Sequence, residues 1–313
     1  MTRAWLLALA MVPAPAIAQR AELPIREVDL PNGDWRFAVL LTIDGQTEEV
    51  GIDTGSTGLR VLRRGLASDA VAAKGATVTY GYGAGTAFEA QVVSVPVAAG
   101  GVSGSIRIMR IDTVGCYQTR PDCPASHVSP AQFGMQGDGL PGQGFAAILG
   151  IRLQHDTVDN PFEELGAKRW LIELPTPAGA PGRIVLNPTE EEIAGYARRR
   201  VDAQGDTPGC LNGPQKICGR AYFDTGAARL RVIRAQAFQP WPNTTPVTIT
   251  VGGGSAAQSF PVIIGRRDQA SALIYAAGGD ETQLSLGLAP YFHWSVLYDA
   301  DRHEIGLKAR QGE

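Results

Sequence analysis

The sequence of 313 residues is poor in the groups that several common functions require. Its four histidines are scattered and its four cysteines form no Cys-x-x-Cys pair, so no zinc site is predicted. Charged residues are 19% of the chain and the net charge is −3, which gives no electrostatic basis for binding nucleic acid or an anionic membrane. Walker, His-Glu-x-x-His and Gly-x-Ser-x-Gly motifs are absent. We therefore expect no metal, no cofactor and no nucleic-acid partner.

The apolar run near the N-terminus is too short to span a bilayer, and Pro13 and Pro15 interrupt it, which argues against a membrane anchor. Arg3 before the run and Ala16-Ile17-Ala18 after it are typical of a cleaved secretory signal peptide, which we predict over residues 1–18. The mature chain is then exported to the periplasm or the extracellular space. We expect it to have no membrane span and to be a monomer.

The four cysteines fall into two local pairs, Cys116 with Cys123 and Cys210 with Cys218. In an exported protein this spacing indicates two short-loop disulfides. Zinc binding is the alternative, but neither pair has the partner residues that a zinc site needs. We predict that all four cysteines are structural.

The composition is typical of many short strands, with 38 glycines, 21 prolines and few charges. Apolar and polar residues alternate over 35–41, a turn follows at Asp44-Gly45, and 48–52 forms a second run that leads to Asp53. This pattern predicts a β-hairpin that delivers a loop. A short helix is predicted after Asn160 as its cap, with Pro161 in its first turn and Gly166 as its end. The basic run 198–200 is interpreted as a solvated linker.

One motif occurs twice, as Asp53-Thr54-Gly55-Ser56 and as Asp224-Thr225-Gly226-Ala227. Each copy follows an apolar run, and each precedes a matching segment, Leu59-Arg60-Val61-Leu62 or Leu230-Arg231-Val232-Ile233. A single Asp-Thr-Gly is expected by chance only about 0.05 to 0.1 times in a chain of this length. Two copies with the same flanks therefore indicate an internal duplication. We predict an N-terminal domain over 19–189 and a C-terminal domain over 190–313.

The duplication predicts a specific chemistry, because two related loops can bring two carboxylates face to face. Two carboxylates at such a distance cannot both ionise, so one acts as an acid and the other as a base. Asp53 and Asp224 are therefore the candidate catalytic residues, acting as a pair. Gly55 and Gly226 allow each loop to turn tightly and approach the other without a Cβ clash. Thr54 and Thr225 are suited to join the two loops by hydrogen bonds.

These residues resemble the pepsin-like aspartic peptidases, and the resemblance covers most of the mature chain. It includes the two Asp-Thr-Gly motifs and the hydrophobic-hydrophobic-Gly elements Ile148-Leu149-Gly150 and Ser285-Leu286-Gly287, although Ser285 departs from an apolar pair. The family fold that it implies is mainly all-β, with two lobes related by a pseudo-two-fold axis and a few short helices. The implied activity is that of an aspartic-type endopeptidase acting on a peptide or protein substrate, without a cofactor. A family disulfide often lies where Cys210 and Cys218 occur.

The same resemblance suggests residues that contact substrate. The segment 78–85 is similar to the flap hairpin of the family, with Tyr80 as the flap tyrosine and Tyr82 as the alternative. Together with Tyr80, the candidate substrate-binding residues are Gly55, Ser56 and Gly226.

Ser56 retains the hydroxyl that often follows the glycine in the family, whereas Ala227 lacks it. A hydroxyl there would stabilise a charged carboxylate, so its loss favours the protonated form of Asp224 and a weakly acidic optimum. The competing hypothesis is a catalytically silent protein of the same fold that serves in binding or inhibition. Ala227 and a short first lobe keep that alternative open.

Overall fold

The structure is a computed structural model that describes residues 19–67, 74–176 and 179–310, apart from the side chain of Ser255. The predicted signal peptide, residues 1–18, lies outside the described residues.

The first part of the chain contains ten strands and one short helix within these described residues. They are β1 (Ala21–Asp29), β2 (Trp35–Ile43), β3 (Gln46–Asp53), β4 (Thr57–Leu62), β5 (Ala76–Gly81), β6 (Thr86–Ala99), β7 (Val102–Cys116), β8 (Ala147–Ile151), α1 (Pro161–Glu164), β9 (Arg169–Glu173) and β10 (Gly182–Leu186).

The rest of the described chain adds ten strands and a second short helix. They are β11 (Ala197–Arg200), β12 (Thr207–Asn212), β13 (Lys216–Tyr222), β14 (Leu230–Arg234), β15 (Pro246–Val251), β16 (Gln258–Ile263), β17 (Leu273–Ala277), β18 (Gln283–Ser285), α2 (Ala289–His293), β19 (Trp294–Asp299) and β20 (Glu304–Ala309). Single turns of 3-10 helix occupy Arg63–Gly65, Pro124–Ser126, Gly254–Ala256 and Arg267–Gln269.

The fold is all-β, as predicted from the composition. Within the described residues the strands form a 13-stranded sheet, in the order β11-β20-β19-β9-β10-β1-β2-β3-β8-β4-β7-β6-β5, and a 7-stranded sheet, in the order β16-β15-β12-β13-β18-β14-β17. The larger sheet contains strands from both sides of Thr189, so the division into two domains there stays a prediction. None of the helices in the described ranges combines the length and apolar character needed to cross a bilayer.

The interpretation of residues 198–200 as a solvated linker is wrong. They form strand β11, which pairs with β20 at the edge of the larger sheet. Arg199 is buried, and its guanidinium donates a hydrogen bond to the carbonyl oxygen of Val251. Arg198 pairs with the buried Asp299. The run of three arginines did not indicate a strand, because Arg198 and Arg199 bind groups that are distant in sequence.

The local predictions for the hairpin, the helix and the cysteines are confirmed. Strands β2 and β3 pair antiparallel around Asp44 and Gly45, which have φ values of 51° and 78° as a tight two-residue turn requires. The Asn160 side chain caps α1 by accepting a hydrogen bond from the backbone N–H of Phe162. Gly166 follows the helix with a φ of +84°. The disulfides are Cys116–Cys123 and Cys210–Cys218.

The internal duplication is visible in the strand order around the two motifs. Strand β8 lies between β3, to which it is parallel, and β4, to which it is antiparallel, and β4 is in turn parallel to β7. Strand β18 lies in the same way between β13 and β14, and β14 is parallel to β17. The two hydrophobic-hydrophobic-Gly elements, at β8 and at the end of β18, therefore have equivalent places beside the two motif loops. A buried hydrophobic cluster extends through both arrangements.

Gly150 at the end of β8 provides a test of this close packing. A Cβ at this position would lie 2.8 Å from the carbonyl oxygen of Gly58 and 2.9 Å from Oγ of Ser56. Because the backbone of the motif loop cannot move away freely, we expect Gly150→Ala to lower the free energy of unfolding by about 2 kcal/mol. Gly115→Ala is the matched control, since a Cβ there would enter open space. Chemical denaturation measures both variants, and equal stabilities would contradict the expectation.

Candidate active site

The two Asp-Thr-Gly loops are joined by reciprocal hydrogen bonds between their threonines. The backbone N–H of Thr54 donates to Oγ1 of Thr225 at 3.0 Å, and the N–H of Thr225 donates to Oγ1 of Thr54 at 3.0 Å. Each hydroxyl then donates across to the opposite strand, Thr54 to the carbonyl oxygen of Phe223 and Thr225 to that of Ile52. Both threonines are buried. The loops are therefore fixed relative to each other by four bonds shielded from water.

These four hydrogen bonds hold each aspartate against the glycine of the other loop. A Cβ on Gly55 would lie 2.5 Å from Oδ1 of Asp224, and a Cβ on Gly226 would lie 2.8 Å from Oδ1 of Asp53. Only glycine allows this approach at both positions. The two carboxyl groups consequently face the same cleft, as the sequence predicts.

Asp53 is surrounded by hydrogen-bond donors. The backbone N–H of Gly55 donates to its Oδ1 at 2.8 Å, and the hydroxyl of Ser56 donates to its Oδ2 at 2.6 Å. The Ser56 oxygen itself accepts a hydrogen bond from the Arg60 guanidinium at 3.2 Å. The side chain of Asp53 is buried, and all three neighbours stabilise a negative charge on it.

Asp224 has fewer donors. The hydroxyl of Ser285 donates to its Oδ2 at 2.9 Å. The loss of water around the carboxyl group, together with the nearby Asp53 carboxylate, raises the pKa of Asp224 from 3.8 to about 6. The Ser285 hydrogen bond and the positive charges of Arg231 and Arg152 oppose this rise. Asp224 is thus the member of the pair that holds the proton more strongly.

The role of Ser285 was missed in the sequence, where it stood only as a departure from an apolar pair. In the strand register Ser285 lies opposite Arg231, as Ile148 lies opposite Arg60 in the first copy. Its hydroxyl reaches the carboxylate that Ala227 cannot reach. The predicted preference of Asp224 for its protonated form agrees with the raised pKa, but the main causes are burial and Asp53.

Arg60 is a second residue of the site that was not selected from the sequence. It is fully buried, its guanidinium donates to the carbonyl oxygen of Thr57 at 2.7 Å, and it pairs with Asp156 at 3.0 Å. The guanidinium carbon lies 3.6 Å from the centre of the Tyr80 ring. Such a contact is favourable because the ring face is negative. Arg60 therefore connects the flap tyrosine candidate with Ser56, the neighbour of Asp53.

Both flap candidates line the cleft. Tyr80 lies at the end of β5 and Tyr82 in the turn that joins β5 to β6. Tyr82 is farther from Arg60, at 5.9 Å, and its ring packs against Phe88. The hydroxyl of Tyr82 is buried and has no hydrogen-bond partner among the described residues. Tyr80 is therefore the flap candidate that lies closer to Arg60, and Arg60 contacts Ser56 beside Asp53.

The cleft itself has a cavity volume of about 210 Å³. All the candidate site residues from the sequence line it, which are Asp53, Asp224, Gly55, Gly226, Ser56 and Tyr80. The turn between β5 and β6, residues 82–85, closes one side and is called the flap turn below. Arg231 of β14 lines the cleft from the C-terminal part of the chain.

The side chains of Tyr291 and Arg152 also contact the motif loop of Asp53. The hydroxyl of Tyr291 in α2 donates to Oγ1 of Thr54 at 2.9 Å and contacts the hydroxyl of Tyr298 at 2.6 Å. Arg152 donates to the carbonyl oxygen of Gly55 at 3.0 Å, and its guanidinium carbon lies 4.4 Å above the ring of Tyr222. Arg152 also pairs with the buried Asp206. No local sequence signal marks these residues, because their partners are distant along the chain.

Comparison of the chain with known proteins gave no matching family model and no matching curated protein. The resemblance to pepsin-like peptidases therefore remains an interpretation of the motifs.

The raised pKa of Asp224 predicts how stability depends on pH. The folded protein binds this proton more tightly than the unfolded chain, so the contribution of Asp224 to stability is present below pH 3.8 and is lost as the pH rises through about 6. Asp224→Asn removes the charge. On going from pH 4 to pH 8, we expect the free energy of unfolding of this variant to rise by about 2 to 3 kcal/mol relative to that of the unaltered protein. Unfolding by denaturant at both pH values measures the difference.

Asp280→Asn is the matched control, because Asp280 is exposed in a surface turn. Its effect on the free energy of unfolding should be the same at both pH values within about 0.5 kcal/mol. A pH-independent difference between Asp224→Asn and the unaltered protein would contradict the assignment of the proton to Asp224.

Proposed function

We propose that the protein is an aspartic-type endopeptidase that hydrolyses peptide bonds within an extended polypeptide, with Asp53 and Asp224 as its catalytic pair. The observation that carries this proposal is the meeting of two carboxyl groups from equivalent loops in one cleft. Their environments differ, and the pKa of Asp224 is raised to about 6. A pair in which one member is ionised and the other protonated supplies a base and an acid together.

Asp53 is the base in this mechanism. Its two hydrogen-bond donors, Gly55 and Ser56, favour a carboxylate. Asp224 is the acid, since burial and the neighbouring carboxylate keep it protonated below about pH 6. Asp53 takes a proton from a water molecule, and the oxygen of that water forms a bond to the carbonyl carbon of the substrate. Asp224 gives its proton to the carbonyl oxygen, so a neutral tetrahedral diol forms.

Breakdown of the diol reverses both proton transfers. Asp53, now protonated, gives its proton to the amide nitrogen, and Asp224 takes a proton from one hydroxyl of the diol. The carbon–nitrogen bond breaks, a carboxylic acid and an amine leave, and each aspartate returns to its first protonation state. The reaction uses water and the two carboxyl groups, and its atoms balance without a cofactor.

Tyr80 and the flap turn fit a role in holding substrate. The Tyr80 hydroxyl keeps its proton at all physiological pH values, because burial raises its pKa to about 12. It therefore remains a hydrogen-bond donor over the cleft, while the glycines of the turn let a substrate backbone approach closely. Closure of such a hairpin would exclude water from the reacting bond.

We also propose that the protein has the pepsin-like fold and that it is exported. A pepsin-like fold of two lobes is supported by the repeated strand order around the two motifs. The two disulfides are compatible with an oxidising compartment, as in an exported protein that acts as a monomer.

The alternative function is a silent binding or inhibitory protein with the same cleft. Ala227 favours it, because one copy of the motif has lost its hydroxyl. Ser285 weighs against it, since this residue donates to Asp224 from the neighbouring strand and so maintains a polar setting for the carboxyl group.

The first test is cleavage of a denatured protein by residues 19–313 between pH 3 and pH 8. We expect activity on the acidic side, lost as the pH rises through about 6, because Asp224 then loses its proton. Asp53→Asn should lower kcat/KM by at least about 10³-fold. Asp280→Asn should leave it unchanged. Folded protein that cleaves nothing, or a rate insensitive to Asp53→Asn, would favour the silent binding protein.

Ser285 and position 227 should shift the alkaline limit of activity in opposite directions. Ser285→Ala removes a hydrogen bond to the charged form of Asp224, so its pKa rises and activity extends to higher pH, by about one unit. Ala227→Ser introduces a hydroxyl beside the same carboxyl group and should move the limit to lower pH. The pH dependence of kcat/KM measures both shifts. A limit that stays at the same pH in both variants would remove Asp224 from the role of acid.

A further inference from the structure

The internal duplication places an arginine at the same point in both copies, Arg60 after the first motif and Arg231 after the second. Arg60 lies opposite Ile148 in the strand register, and Arg231 lies opposite Ser285. The groups that surround the two arginine side chains nevertheless differ.

The charge of Arg60 is used inside the protein. It has an ionic partner in Asp156 and hydrogen-bond acceptors in Ser56 and Thr57, and its guanidinium is covered by Tyr80. No part of its side chain is exposed.

Arg231 has none of these partners. Ala227 stands where the first copy has Ser56, and in the described parts of the chain Arg231 forms no hydrogen bond and no ion pair. It is half-buried and lines the same cleft as the two aspartates. Its Nη1 lies close to the flap turn, 3.3 Å from where a Cβ on Gly83 would be. A guanidinium has five N–H donors, and leaving them unpaired in a half-buried position is unfavourable.

The other carboxylates of the cleft do not satisfy Arg231. Asp138 pairs with Arg36 at 2.6 Å. Asp53 is bonded to Ser56 and Gly55. Asp224 feels the charge of Arg231, but it is the member of the pair that carries the proton. The cleft thus presents one positive group, between the flap turn and the catalytic pair, that is available to a ligand.

We propose that Arg231 is a specificity-determining residue that binds the carboxylate of a glutamate or aspartate side chain in the substrate, so that the protein prefers acidic peptides. The proposal rests on the proposed function. A carboxylate matches the planar fork of a guanidinium in two parallel hydrogen bonds, which strengthens the ion pair and orients the side chain. One residue of the extended peptide would then be fixed next to the reacting bond.

A second role for Arg231 needs to be separated from this one. Its charge lowers the pKa of Asp224, so its removal also changes the catalytic acid. That effect acts equally on every substrate. Binding of an acidic side chain, in contrast, changes the ratio between two substrates that differ only in that side chain.

The experiment begins with the cleavage sites of the unaltered protein in a denatured protein mixture, mapped by mass spectrometry. Asp and Glu should be enriched at one fixed position relative to the cleaved bond. Two peptides with Glu or Gln at that position are then compared at about pH 5.5, where the glutamate is ionised. We expect kcat/KM to be about tenfold higher for the Glu peptide.

Variants of Arg231 test the assignment. Arg231→Gln should reduce the Glu-to-Gln ratio to about one, and Arg231→Glu should favour a Lys peptide over the Glu peptide. Arg234→Gln is the matched control on the same strand, because Arg234 donates to the carbonyl oxygen of Gln236. It should leave the ratio unchanged. A ratio that persists in Arg231→Gln, or equal losses for both peptides, would overturn the proposal.

Binding measurements separate this proposal from the proposed function. Fluorescent forms of the same two peptides are titrated into Asp53→Asn protein, with and without Arg231→Gln. Tighter binding of the Glu peptide that depends on Arg231 supports the proposal even if no cleavage is found, in which case only the peptidase function fails. Equal binding of both peptides overturns it whether or not the unaltered protein is an enzyme.

Discussion

Four buried hydrogen bonds between Thr54, Thr225 and the strands before them determine how the whole cleft is arranged. Each bond contributes only about 0.5 to 1.5 kcal/mol, but a partner left unpaired in this environment would cost more than the bond is worth. Two carboxyl groups side by side repel when both are charged, and a rigid connection between their loops is what keeps them at that distance. Tyr291 adds a further bond to Thr54.

The duplication places the two aspartates in equivalent positions, and substitutions between the copies make the surroundings of the two carboxyl groups different. The strand order around the two motifs is the same, so the two aspartates start from equivalent positions. Identical surroundings would leave the proton shared equally. Ser56 in one copy and Ala227 in the other remove that equality, and Ser285 restores only part of it. The carboxyl group with more donors is better stabilised as an anion. Burial and the Asp53 carboxylate raise the pKa of the other, Asp224.

The sequence was most informative where the determining interactions are local. The turn at Asp44 and Gly45, the cap at Asn160 and the disulfide pairs depend on residues close together in the chain, and their patterns predicted them. The pairing of Asp53 with Asp224 could also be predicted, because the motif occurs twice. Ser285, Arg60, Tyr291 and Arg152 could not, since each acts through a partner that is brought near only by the folded sheets. The burial of Arg199 in a strand was missed for the same reason.

Arg60 and Arg231 occupy equivalent register positions in the two copies, but their surroundings differ. A guanidinium is costly to bury unless its donors are paired. The first copy meets this requirement from within, through Asp156, Thr57 and Ser56. The second copy lacks such partners, and its guanidinium is held in the wall of the cleft, where solvent or a ligand can pair with it. The guanidinium that is paired within the protein in the first copy is thereby left without a hydrogen bond or ion pair among the described residues in the second, as the proposed binding of an acidic side chain requires. The difference between the surroundings of Asp53 and those of Asp224 thus extends along the strand that follows each motif, to Arg60 in the first copy and Arg231 in the second.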